Sequence, residues 1–87
     1  MQKRGTPMNK NQTAAERRAI LQTISDALIE QSYDPIRQIS GYLLTEDPTY
    51  IPNHRNARAL IVEIDRADLL DDLLRSYLEP ERKAATP

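Results

Sequence analysis

Asp-Pro occurs twice in this chain, at Asp34-Pro35 and Asp47-Pro48, and each pair dictates where a helix can begin. The Asp carboxylate can accept hydrogen bonds from the first free N–H groups of a helix. Proline in the next position has no N–H to leave unpaired, and its φ is already helical. The two pairs sit in a stretch from Ser32 to Pro52 that also holds Tyr33, Tyr42, Tyr50 and Gly41 inside an apolar run. A chain punctuated this way cannot carry one long helix through its middle. It must break into short helical pieces.

The rest of the chain follows the same grammar. Thr13-Ala14-Ala15-Glu16 spells a capping box, with a Thr hydroxyl for the third N–H and a Glu reaching back. A helix is predicted from Ala14 to about Gln31, with Ile20, Leu21, Ile24, Ala27 and Leu28 on one stripe. Asp34 starts a second helix, Pro35 to about Thr45, with Ile36, Ile39, Leu43 and Leu44 expected to be buried and Tyr42 beside them. Gly41 in its middle costs about 1 kcal/mol relative to Ala, which a close helix–helix approach would explain. One turn is expected after Pro48. Asn53 or Asn56 then starts a helix carrying Ala57, Leu60, Ile61 and Ile64. Asp65 starts the last, running to about Glu79 and burying Leu69, Leu70, Leu73, Leu74, Tyr77 and Leu78. No segment alternates as a strand does. The fold class is all-α, a small bundle of four to five short helices. Residues 1–12 read as a disordered arm, 13–80 as the helical domain, and 81–87 as a frayed tail.

Composition limits what such a chain can do. With 87 residues, 39% hydrophobic content, and neither Phe nor Trp, the core is thin. The absence of Cys removes disulfides and thiolate metal sites, which leaves dimerisation as the common remedy. The net charge of −1 exerts no general pull toward nucleic acid. Charge is unevenly placed, however. Residues 1–18 carry Lys3, Arg4, Lys10, Arg17 and Arg18 against Glu16, whereas 63–72 carry Glu63, Asp65, Asp68, Asp71 and Asp72 against Arg66. No stretch is apolar enough to span a membrane, and the polar N-terminus lacks a signal-peptide core. The expected location is the cytoplasm.

Catalytic chemistry finds no foothold. His54, the single histidine, stands beside Arg55 and Arg58 with no orienting carboxylate nearby in sequence, so it reads as solvent-exposed. Neither a metal nor a cofactor is implied. The Asp65–Asp72 acids lack the spacing of a calcium loop and suit a helix N-terminus instead. Arg55, Arg58 and Arg66 form a basic segment. It can be a solvated edge balanced by nearby acids, or a docking site for an acidic partner. They can also be contacts of a helix-turn-helix DNA reader, which the acids of the final helix oppose.

Tyr33-Asp34-Pro35-Ile36-Arg37-Gln38-Ile39-Ser40-Gly41-Tyr42, then Asp47-Pro48-Thr49-Tyr50-Ile51-Pro52, then Asn56-Ala57-Arg58 and Leu74-Arg75-Ser76-Tyr77-Leu78 resemble the IreB family of small Gram-positive phosphoproteins. The resemblance runs from about Leu28 to Leu78 without a gap. It implies a helical homodimer, phosphorylated on threonine in the N-terminal arm by a membrane Ser/Thr kinase with extracellular PASTA repeats and reset by a phosphatase. It also implies control of peptidoglycan synthesis, in some members through Clp-protease-dependent turnover of the first committed enzyme. Arg55, Asn56, Arg58 and Arg66 are then partner-binding candidates. Thr6 and Thr13 are the phosphorylation candidates, with Thr6 preferred because Thr13 also suits a helix cap. The helix-turn-helix protein is the alternative from another class; an enzyme is not expected.

The chain departs from the family's pattern at three places. Ser32 and Glu46 stand where family members usually have glycine, and glycine suits a left-handed helix end, so these two turns are expected to differ here. The family's Thr-rich opening does not align with residues 1–12.

Overall fold

A computed structural model describes residues 12–79. They form four α-helices, α1 (Ala14–Glu30), α2 (Pro35–Thr45), α3 (Ala57–Val62) and α4 (Arg66–Leu78), with one 3-10 turn, Pro48–Tyr50, between α2 and α3. The fold is all-α. Residues 1–11 of the expected arm, and the expected tail at 81–87, lie outside the described residues.

Each helix start is built from the residues at hand. Glu16 N–H donates to Thr13 Oγ1 at 3.1 Å and Thr13 N–H donates to Glu16 Oε1 at 2.9 Å, closing the capping box. Asp34 Oδ1 accepts from the N–H groups of Ile36 at 3.0 Å and Arg37 at 3.5 Å. Asp47 Oδ1 takes the Thr49 N–H at 3.0 Å and its hydroxyl at 2.7 Å. Asp65 Oδ1 takes the N–H groups of Ala67 at 2.9 Å and Asp68 at 3.2 Å. Asn56 precedes α3 as expected, but its side chain makes no cap bond, and both Arg55 and Asn56 are left-handed at φ 56 and 62.

The helix ends correct one expectation. Ser32 and Glu46 adopt the left-handed conformation, with φ 66 and 64, that glycine would adopt freely. After α1, Ser32 N–H donates to Ile29 O and Tyr33 N–H to Leu28 O, both at 2.9 Å, the bond pair of a Schellman ending. After α2, Glu46 N–H donates to Tyr42 O at 2.6 Å. The turns keep the shape glycine favours, because those bonds satisfy otherwise orphaned carbonyls.

Helix α1 is the organising element, touching α2, α3 and α4 in turn. Its Ile24, Ala27 and Leu28 are fully buried against Tyr42 of α2, Ile51 after the 3-10 turn, and Ala57 and Ile61 of α3. Ile64 and Leu69 close the core toward α4.

Two predicted apolar faces are corrected. On α2, Ile39 and Leu43 are half-buried and Tyr42 is buried, but Ile36 is 74% and Leu44 84% exposed. Leu44 follows Tyr42 by two residues, about 200° around the helix, so it points away from the core. On α4, only Leu69 is buried; Leu70, Leu73, Leu74, Tyr77 and Leu78 are exposed, Tyr77 by 86%. The stripe exists, but nothing among the described residues covers it. The explanation expected for Gly41 also changes. A Cβ there would strike the ring of Tyr50, including Cζ at 2.9 Å, so the close approach is made by a tyrosine of the 3-10 turn and not by a second helix.

Candidate regulatory surfaces

Three surfaces carry features that plain helix packing does not require. The first is the junction between the arm and the body. Thr13 is exposed, and its hydroxyl already accepts the Glu16 N–H. One turn later, Arg17 turns its guanidinium toward α4. Nε donates to Asp72 Oδ2 at 2.5 Å and Nη2 to Asp72 Oδ1 at 3.1 Å, a two-pronged grip. Nη1 donates to the Gln12 carbonyl at 2.5 Å and lies 3.7 Å from Asp68 Oδ2. The Arg17 side chain is only 11% exposed. Its hydrogen bond holds the Asp72 carboxyl below the usual carboxylate range, against the desolvation that works the other way.

The second is the segment from His54 to Asn56, with Arg58 and Arg66. His54 Nε2 lies 2.8 Å from Glu30 Oε1, and Arg55 Nη1 lies 3.3 Å from Glu30 Oε2. The carboxylate expected to be missing beside His54 is therefore supplied by the end of α1, from 24 residues away, and His54 is half-buried instead of free in solvent. Hydrogen bonding to His54 holds Glu30 below the ordinary carboxylate range. Arg58 Nε donates to the Ile51 carbonyl at 2.8 Å. Arg66 Nη1 donates to the Leu43 carbonyl at 2.6 Å, and its Nη2 lies 3.3 Å from Glu46 Oε1.

The structure thus separates the four predicted partner-binding residues. Arg58 and Arg66 staple chain segments together, while Arg55 and Asn56 are exposed at the mouth of α3. A DNA reader would need these arginines free, and the geometry does not favour it. The acids are likewise engaged: Asp65 caps α4, Asp68 and Asp72 face Arg17, and Asp71 pairs with Arg75 at 2.9 Å. Among the described residues there is no group of three or more His, Asp or Glu placed to hold a metal ion.

The third surface is α4 itself. Leu70, Leu73, Leu74, Ser76 and Tyr77 line a shallow, mostly apolar groove of about 460 Å³. The model of the IreB regulatory phosphoprotein family matches residues 5–79. The chain belongs to this family. Membership in the IreB family gives the protein a regulatory role. The match includes Thr6, Thr13, Arg17, the basic segment and all of α4. Thr6 lies outside the described residues. Among those that are described, no helix is long and apolar enough to cross a membrane.

Sequence reasoning missed Arg17–Asp72 and His54–Glu30. The uneven charge of residues 1–18 and 63–72 was the available signal for the first pair. Nothing local signalled the second.

Proposed function

We propose that the protein is a non-enzymatic, cytoplasmic regulator of peptidoglycan synthesis, switched by threonine phosphorylation in its N-terminal arm. A PASTA-type Ser/Thr kinase adds the phosphate and a phosphatase removes it. The body acts through protein partners such as the Clp protease machinery. The observation that carries this reading is the family match over residues 5–79. Thr6 is the leading acceptor, because Thr13 serves as the cap of α1.

The uncovered stripe of α4 supports a homodimer. Exposed Leu70, Leu73, Leu74, Tyr77 and Leu78 form the kind of contiguous apolar face that a two-fold seam buries. Arg55 and Asn56 are the partner-binding candidates best placed to meet an acidic partner. Replacing Arg55 with Ala is expected to weaken partner capture without lowering the melting temperature.

Phosphopeptide mass spectrometry after incubation with the kinase and ATP tests the switch. Modification of Thr6 or Thr13 supports it, and modification of neither overturns it. Light scattering tests the seam: a monomer at high micromolar concentration, unchanged by Leu73→Asp, would remove the dimer from the proposal.

A further inference from the structure

Arg17 joins the place where the arm enters the body to the helix with the exposed apolar face. Its guanidinium is occupied on three sides, by the Gln12 carbonyl, by both carboxylate oxygens of Asp72, and by the more distant Asp68. Leu69 is the one α4 residue buried among the described residues, and this ionic grip is a second tie between α4 and α1.

We propose that Arg17 receives the phosphate acquired by the arm, and that this handover releases α4 from α1. The proposal rests on the phosphorylation reading above and adds the residue that senses the modification. A phosphothreonine carries close to two negative charges and three acceptor oxygens, against one charge on Asp72. Arginine binds phosphate through two parallel N–H donors, the same fork it now presents to Asp72. The phosphate also places like charge beside Asp68 and Asp72, which α4 presents to that seam. Attraction to Arg17 and repulsion of the two acids act in the same direction.

Either candidate can supply the phosphate. Thr13 sits one helical turn before Arg17, with Arg17 N–H donating to the Thr13 carbonyl at 2.9 Å. Thr6 lies farther up the chain, but six residues can span up to about 20 Å, enough to bring a phosphate back to Arg17. The chemistry at either residue is the same. The kinase transfers the γ-phosphoryl group of ATP; the threonine O–H bond gives way to an O–P bond, ADP leaves, and the proton passes to solvent.

The test uses the full chain with phosphothreonine incorporated at position 13 or at position 6 during synthesis, so no kinase is needed. Nuclear magnetic resonance follows the Arg17 Nε–H signal, and hydrogen exchange follows the α4 amides. In at least one phosphorylated form the Arg17 signal moves and exchange over Arg66–Leu78 quickens by roughly tenfold. The form that responds identifies the source. In unmodified protein, Asp72→Asn quickens α4 exchange in the same way, and Asp68→Asn does so more weakly. With Arg17→Gln, the phosphate no longer alters α4 exchange. An unmoved Arg17 signal and unchanged α4 exchange in both phosphorylated forms overturn the proposal. Failure of the kinase to modify the arm counts against the phosphorylation reading alone, because the synthetic phosphoproteins still report on Arg17.

Discussion

The ring of Tyr50 occupies the space that a side chain at position 41 would need. Gly41 lets α2 and the Pro48–Tyr50 turn close on each other, and Gln38 completes the contact by donating from Nε2 to the Tyr50 carbonyl at 2.8 Å. A residue unfavourable for its own helix is thereby kept by a neighbour in space.

Gly41→Ala is therefore expected to destabilise the protein by about 1–3 kcal/mol, although Ala is the better helix former. In a Tyr50→Ala background the same change is expected to stabilise by up to about 1 kcal/mol. Urea unfolding of the two single variants and the double variant measures this reversal. A Gly41→Ala protein as stable as the parent would show that the ring moves aside freely.

Ser32 and Glu46 hold left-handed backbone without the freedom of glycine. Ser32→Gly is expected to raise stability by about 0.5–1 kcal/mol. Glu46→Gly should gain less, because it also removes the contact with Arg66 at 3.3 Å. Thermal melts of the two variants distinguish these outcomes.

The basic segment divides into structural and free members. Arg58→Ala leaves the carbonyl of fully buried Ile51 without its donor, and a loss of about 1–2 kcal/mol is expected. Arg66→Ala should cost a similar amount through the Leu43 carbonyl. Arg55→Ala should stay within about 0.5 kcal/mol, since its pairing with Glu30 is solvent-exposed. Chemical denaturation of the three variants gives the order directly.

These positions show what local sequence can and cannot carry. The caps at Thr13, Asp34, Asp47 and Asp65 were legible because donor and acceptor lie within three residues of each other. The exposure of Ile36, Leu44 and the α4 leucines other than Leu69 was not, because periodicity shows that a face is apolar without showing what lies against it. The left-handed Asn56 was hidden as well, since Asn also suits an ordinary cap. For the candidate surfaces, the residue types were readable but their partners were not. Arg58 reads as a free cation until Ile51 is seen beneath it, and Glu30 gives no local sign of meeting His54.

Acid should weaken the α1–α4 junction in a predictable order. Arg17 holds Asp72 below the ordinary carboxylate range, so the unfolded chain takes up that proton first. The stabilisation is present above about pH 4, where a free carboxylate is ionised, and is lost as pH falls toward the lower folded value. The stability difference between the parent and Asp72→Asn should therefore be constant near neutrality and shrink below about pH 4. A difference that persists unchanged into stronger acid would detach it from the Arg17 pair.

The short reach of the helix caps bears on how quickly the chain can find its shape. Each start signal acts within one turn, so the helices can nucleate in parallel, before distant segments meet. The remaining search is mainly the docking of the other helices onto α1. A chain of this kind is expected to refold on the order of microseconds to milliseconds, with its late events confined to the long-range ties at Arg17–Asp72 and His54–Glu30.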